Sequence, residues 1–182
     1  TQTATITITP SNNKLAFVTN QLSDSVKVIN LQTNTVISAF TTGNNTNPEG
    51  IVVAPDDSFL FVACPKDYYT GNKQISKYNI ATQTITNFSL NGSYGVSRLA
   101  YNQQNDNLYS VGANPPVGGC TGFPGNLCYQ GKLVRYNAND MTENPENNLL
   151  SYKDLAVSSD GNLLYAIQGM DTTIFPDPIN HS

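Results

Sequence analysis

Few residues in this chain could carry acid–base or nucleophilic chemistry, and their scarcity is informative. The only histidine, His181, stands next to the C-terminal Ser182. A Ser–His–Asp relay therefore has no well-placed base. Neither a Gly-x-Ser-x-Gly elbow nor a phosphate-binding P-loop occurs. No His groups with carboxylates as a catalytic metal would need. Asp56-Asp57 and Asp160-Gly161 lack the alternating ligand spacing and distal Glu of a calcium loop. They read as β-turn residues. The residues thus lean against an enzyme, assign no catalytic position, and call for no metal or cofactor.

Cysteine and asparagine carry the remaining covalent possibilities. Cys120 and Cys128 flank TGFPGNL, a Gly- and Pro-containing segment that reads as a loop closed by a local disulfide. Two unrelated thiols in one loop are the alternative. A metal site is disfavoured, because no His or further Cys lies nearby. Cys64 ends the strand-like run SFLFVAC and reads as a small buried hydrophobe. Asn44, Asn87, Asn91 and Asn180 head Asn-x-Ser/Thr sequons and are glycosylation candidates. Together with a disulfide, they point to an extracellular or cell-surface protein.

Composition narrows the field further. The 182 residues are 38% hydrophobic and 12% charged, with a net charge of −4. That charged share is about half the ~25% usual in soluble proteins. Its place is taken by 24 Asn and 19 Thr. Such a chain does not make a coiled coil, and it is not a charge-driven disordered segment. Nine scattered Lys and Arg at a pI near 4.7 argue against nucleic-acid binding. No apolar run approaches the ~18–20 residues of a membrane-spanning helix. The opening TQTATITIT reads as a strand rather than a secretory signal peptide.

The strongest signal is an internal repeat. NKLAFVTN (Asn13 to Asn20), SFLFVAC, NDNLYSVG and GNLLYAIQ are short apolar strands after polar turns. Their aromatics, Phe17, Phe61, Tyr109 and Tyr165, are 44, 48 and 56 residues apart. Before each turn lies another strand: TATIT, GIVVA, SRLAY and KDLAV. A second half-repeat follows, VKVINLQTNTVISAF matching ISKYNIATQTITNF, with LVRYNANDMT as a looser copy. Alternation is period two, and no segment shows an apolar stripe at helical spacing. Four antiparallel strands per ~40–50 residues is the pattern of a β-propeller blade. The expected blades are residues 1–47, 48–94, 95–150 and an incomplete 151–182, about three and a half in all.

KLAFVTNQLSDSVKVINLQTNTVISAF resembles the YVTN-type β-propeller repeat. Phe17-Val18-Thr19-Asn20 takes the place of Tyr-Val-Thr-Asn. Ile29-Asn30, Tyr78-Asn79 and Tyr136-Asn137 take that of Ile-Asp, followed by Thr-x-Thr turns in the first two copies. The resemblance implies an all-β propeller, commonly seven-bladed, of which this chain would be roughly half. It also implies a choice of roles: surface-layer protein, lactonase-like enzyme or part of a quinoprotein dehydrogenase. A lactonase- or quinoprotein-type site would need catalytic residues outside this segment. A compact four-bladed ring is the competing architecture. It requires Thr172 to Ile179 to finish the last blade despite Pro176 and Pro178.

Blade order then says where a site can lie. With strands a to d running outward, the b–c and d–a loops share one face. Two b–c loops are long, Cys64 to Lys73 and Gly112 to Lys132, and the d–a loops Thr41 to Gly50 and Asn91 to Arg98 are polar. Loops clustered on one face of a rigid scaffold are a usual seat of function. The first offers Lys66, Asp67, Tyr68 and Tyr69, suited to a protein or glycan contact. The second offers Phe123 and Tyr129, and Tyr94 lies in a d–a loop. Packing of the Tyr pair against the next blade is the alternative role for the first loop, and a structural plug or inter-blade clasp for the second. Arg98, one of only two Arg, could aim an anion-binding group at the central channel. Pairing with a carboxylate such as Asp154, at the similar position of the next blade, is the favoured expectation. The sequence therefore predicts a secreted or surface-attached binding scaffold, with a protein or glycan partner and a second chain or copy as candidates to complete the ring.

Overall fold

A computed structural model describes residues 6–8, 14–65, 73–90, 96–113, 117–118, 127–128, 131–145 and 152–168. The first sheet holds β1 (Ile6–Ile8), β2 (Leu15–Asn20), β3 (Ser25–Asn30) and β4 (Thr35–Thr41) in that spatial order. The second holds β5 (Ile51–Val53), β6 (Phe59–Cys64), β7 (Lys73–Asn79) and β8 (Thr84–Leu90). The third starts with β9 (Arg98–Asn102) and β10 (Asn107–Ala113). A small hairpin, β11 (Val117–Gly118) with β12 (Leu127–Cys128), interrupts it before β13 (Gly131–Asn137) and β14 (Glu143–Pro145) complete it. A fourth pair, β15 (Tyr152–Val157) with β16 (Leu164–Gln168), begins another sheet. All pairings are antiparallel, and the inner strands β1, β5, β9 and β15 are successive neighbours. This is a β-propeller of four-stranded blades.

The repeated Asn and Thr residues are the hinges of these sheets. Asn30 ends β3, and its Oδ1 accepts the backbone N–H of Gln32 and Thr33 at 2.8 and 3.2 Å. Asn79 does the same for Thr82 at 2.9 Å, and Asn137 for Asn139 at 2.9 Å. A short polar side chain that caps its own turn is what a tight hairpin needs. The Thr-x-Thr element adds a hydroxyl bridge, Thr33 to Thr35 at 2.7 Å and Thr82 to Thr84 at 2.8 Å. In the inner turns, Asp56 accepts from Ser58, and Asp160 from Asn162 and Ser158. These carboxylates are engaged in turn geometry, as the sequence suggested.

Strand alternation gives each sheet two apolar faces, and neighbouring sheets cover them. Phe17, Val26 and Val28 of the first sheet meet Ile51, Leu60 and Val62 of the second. Phe40 stacks on Tyr78 across that seam, ring centroids 3.9 Å apart. Phe61, Ala63 and Ile75 meet Leu99, Leu108 and Tyr136 in the next seam. Val111 and Leu133 meet Leu155 in the third. Burying each Phe contributes about 2–3 kcal/mol. Lys77 lies in the second seam with its Nζ 4.1 Å from the Phe59 ring centroid, donating to the Ala138 carbonyl at 2.9 Å. Burial pulls its pKa down, against the attraction of Asp106. A lysine on a strand face is thus absorbed by its stem, its aromatic neighbours and one carbonyl.

Close convergence of the inner strands has one sharp requirement. A Cβ at Gly50 would strike the Ser97 carbonyl oxygen and come within 2.8 Å of the Arg98 Cα. Both obstacles are backbone and cannot swing aside. Gly50→Ala is expected to cost about 1–3 kcal/mol by overpacking. A urea unfolding midpoint unchanged from wild type would refute that close approach.

Candidate binding face

The described part of the loop face is built around Glu49 and Asp24. Glu49 directly precedes Gly50 and β5. Its backbone N–H donates to Ala63 at 2.9 Å, and its carbonyl accepts the buried Thr19 hydroxyl at 2.9 Å. With its backbone held on both sides, its carboxylate is presented at the inner edge. Oε1 accepts from Gln21 Nε2 at 3.1 Å, and Oε2 faces Arg98 Nη1 at 3.5 Å. Arg98 also donates to the Ser97 carbonyl at 2.9 Å. The Arg98 and Glu49 side chains remain 33% and 23% exposed, so solvent and ligands can reach the pair. Gln21, Glu49 and Arg98 come from three successive blades, and the row runs across both seams.

Asp24 organises the loop that delivers Glu49. It sits at the end of the 3₁₀ turn Gln21–Ser23 in left-handed backbone, φ 49°. Its carboxylate accepts the backbone N–H of Asn45, Thr46 and Asn47 at 2.8, 2.7 and 2.9 Å. Thr42 and Thr46 are buried beneath, with their hydroxyls 2.6 Å apart. The Thr42 carbonyl takes Gln74 Nε2 at 2.6 Å and Asn87 Nδ2 at 3.3 Å. Ser76 donates to Asn87 Oδ1 at 2.8 Å and lies 3.7 Å from Cys64 Sγ. The loop is thereby pinned into the first seam by a satisfied polar network.

One expectation is corrected by this geometry. The partner of Arg98 is Glu49 of the preceding blade, not Asp154 of the following one. Asp154 instead accepts the N–H of its neighbour Leu155 at 2.9 Å. The reason is Gly50: it stands in the second sheet where Arg98 stands in the third, and its missing side chain leaves the approach to Glu49 open. The polar d–a segment Thr41 to Gly50 is partly packed into the fold, with Thr42, Thr46, Pro48 and Gly50 buried. Of the sequon residues, Asn44 is exposed on this loop, whereas the Asn87 amide is engaged in the seam. Cys64 is buried in β6, as expected.

Lys66, Asp67, Tyr68, Tyr69, Tyr94, Cys120, Phe123, Tyr129, Asn91 and Asn180 lie outside the described residues. Cys128 pairs through its backbone with Val117 in the β11–β12 hairpin. Among the described residues, no three His, Cys, Asp or Glu gather as a metal site would require. None of the helices there is long and apolar enough to cross a membrane.

No family model matches the chain, and no curated protein does. Among solved structures, it is similar to a chain of the crystal structure of a nidogen/laminin complex. That match has 16% identity and a TM-score of 0.57, over 85% of this chain and 51% of the other. It is also similar to hydrazine synthase of Kuenenia stuttgartiensis, with 17% identity and a TM-score of 0.55, over 88% and 60%. This chain thus spans about half the length of the solved chains it matches. The likeness is one of fold and supports the β-propeller.

The Asp24 cradle makes a pH prediction. Partial burial pushes the carboxyl up, but the N–H groups of Asn47, Asn45 and Thr46 together outweigh it and hold Asp24 below its ordinary value. A depressed folded value means stability that is present above the ordinary aspartate range. It is lost as the pH falls through the folded value. Asn also tolerates the left-handed backbone, so Asp24→Asn tests charge. It is expected to lower stability by about 1–2 kcal/mol at neutral pH, an exposure-discounted figure. The gap to wild type should close by about pH 2. Urea midpoints that differ equally at both pH values would contradict the cradle's charge dependence.

Proposed function

We propose that this chain is a secreted or cell-surface propeller unit of YVTN type that binds a protein or glycan partner through its loop face. The observation that carries this reading is the Gln21–Glu49–Arg98 row. It is a rigid, partly exposed polar strip from three blades, on the face from which the long loops leave. Both Glu49 oxygens already have partners, and Arg98 is already neutralised by Glu49. Such a partly exposed ion pair suits complementary contact with a polar or charged partner surface. By sequence, one long loop contains Lys66, Asp67, Tyr68 and Tyr69, the other contains Phe123 and Tyr129, and Tyr94 belongs to a d–a loop. Tyr is a favoured contact residue, apolar in body and polar at its tip. A Cys120–Cys128 disulfide would stiffen the second loop and lower the ordering cost of binding. The nidogen neighbour was solved in a complex with laminin, which accords with a macromolecular partner.

Site-specific photo-crosslinking tests the reading. A benzoylphenylalanine at Tyr69 or Phe123 is expected to capture a partner from extracellular material. The same probe at Asp57 or Gln104, on the opposite face, should not. Tyr68→Ala with Tyr69→Ala should then weaken binding of the captured partner about tenfold or more without lowering the unfolding midpoint. Capture from Asp57 and not from Tyr69 would reject the loop face.

Glycosylation offers a separate check on the secretory assignment. In a eukaryotic secretory host, Asn44 is expected to carry glycan, because its turn is exposed. Asn87 is expected to stay bare, its amide being held by Ser76 and Thr42. Peptide mapping after enzymatic deglycosylation reads both sites, and glycan at Asn87 with none at Asn44 would reverse this order.

A further inference from the structure

The seam between the first and second sheets contains a closed ring of hydrogen bonds. Gln74 Nε2 donates to the Thr42 carbonyl at 2.6 Å and to Ser76 Oγ at 2.8 Å. Ser76 Oγ donates to Asn87 Oδ1 at 2.8 Å, and Asn87 Nδ2 returns to the Thr42 carbonyl at 3.3 Å. Thr42, Gln74 and Ser76 are 0%, 7% and 0% exposed, so the ring is built inside the protein. The blade pattern does not demand it. LVRYN of β13 aligns with ISKYN of β7, which puts Val134 where Ser76 stands and Lys132 where Gln74 stands. In the first sheet those places hold Lys27 and Ser25. An apolar residue at position 76 would fill the seam as Val134 does, without the desolvation cost of a buried hydroxyl.

The ring lies at the roots of two loops of the binding face. Gln74 is paired with Cys64 across the base of the β6–β7 loop, which by sequence holds Lys66, Asp67, Tyr68 and Tyr69. Thr42 follows β4 and opens the loop that ends at Glu49. Thr42 also reaches back to the first sheet. Its N–H and its hydroxyl donate to the Asp24 carbonyl at 2.9 and 3.1 Å, and its hydroxyl lies 2.6 Å from that of Thr46. The Asp24 carboxylate in turn holds the N–H groups of Asn45, Thr46 and Asn47. An unbroken polar path thus runs from the base of the β6–β7 loop to the cradle before Glu49. Both lone pairs of the Thr42 carbonyl and both amide hydrogens of Gln74 are used, which leaves the ring one arrangement of donors and acceptors.

We infer that this ring couples the two loops, so that order at the base of the β6–β7 loop and order in the Asp24 cradle rise and fall together. Gln74 is then a positioning residue of the binding face, acting through Thr42 on the segment that presents Glu49. Hydrogen bonds closed into a ring support one another, so opening one loosens the rest. A contact that holds either loop lowers the ordering cost at the other. Such coupling is reciprocal by thermodynamic necessity. Its bearing on partner binding rests on the loop-face reading, but its measurement needs no partner.

Amide hydrogen exchange followed by NMR on the chain itself tests it. Gln74→Met keeps the length of the side chain and removes both donors. Exchange at Asn45, Thr46 and Asn47 is expected to quicken about tenfold or more, while the amides of β9 and β10 keep their wild-type rates. Asp24→Asn should in return quicken exchange at Gln74 and Ser76. Urea midpoints supply the second measurement: the double variant should lose less than the sum of the two single losses. Should Gln74→Met fail to fold, Ser76→Val opens the same ring with the residue the third sheet holds at that place. Unchanged exchange at residues 45 to 47 overturns the coupling, and so do additive midpoints. A rise spread evenly over all sheets overturns it as well, because that is the mark of general destabilisation. Failed crosslinking from Tyr69 would reject the loop face and leave these exchange rates as they are, so the two failures are separable.

Discussion

Everything in this molecule depends on covering both faces of a four-stranded sheet. Period-two alternation places apolar residues on each side of β2, β6 and β10, and a lone sheet of four strands can hide neither side. The solution is radial stacking, in which Phe17, Phe61 and their equivalents fill a seam formed by the next sheet. Stability is then close to a sum over seams. Among the described residues, Tyr165 and Ile167 of the fourth sheet are exposed at the positions where Phe17 and Phe61, Thr19 and Ala63 are buried. The low content of charged residues has the same origin. With both faces apolar, polarity is confined to hairpin ends, where Asn and Thr cap turns without bringing a charge to be solvated.

The first loop-face seam shows how the fold sets up a surface. Asp24 gathers three backbone N–H groups, and this fixes the segment that ends at Glu49. Gly50 then lets the second and third inner strands converge, which brings Arg98 within reach of Glu49. The polar strip is thus a product of one carboxylate cradle and one missing side chain. A looser loop would place Glu49 in many positions, and a side chain at residue 50 would separate the strands. Positioning of this kind, by backbone contacts rather than by side-chain packing, leaves the functional groups themselves partly exposed.

The architecture was legible because it is repeated. Phe17, Phe61, Tyr109 and Tyr165 recur, and so do Asn30, Asn79 and Asn137; a pattern seen three times needs no structure to be recognised. The reason for the Thr-x-Thr element, a hydroxyl bridge between residues two apart where the turn enters the outer strand, was not legible, because it depends on side-chain orientation. The site was harder for the opposite reason. Glu49 has Ser97 at its equivalent position in the next blade, so no repeat marked it. Arg98 was singled out by rarity, and its partner was placed on the following blade instead of the preceding one because the two neighbours of an inner strand cannot be told apart from spacing alone. Asp24 gave only a weak signal, a single carboxylate in a turn facing a Thr- and Asn-rich loop.

A repeat that builds the same seam three times also specifies the kind of face each sheet accepts. Each interface is directional, with an aromatic or β-branched side chain of one sheet entering between aliphatic side chains of the next. Sheet order is therefore written into the residues, and like faces do not interlock. This polarity makes closure a matter of supplying the correct opposite face, whatever the number of sheets. It also protects the assembly: a face that accepts only one kind of sheet surface is less prone to indiscriminate pairing than an exposed strand edge. The constraint that folds each blade is thus the same one that selects its neighbour.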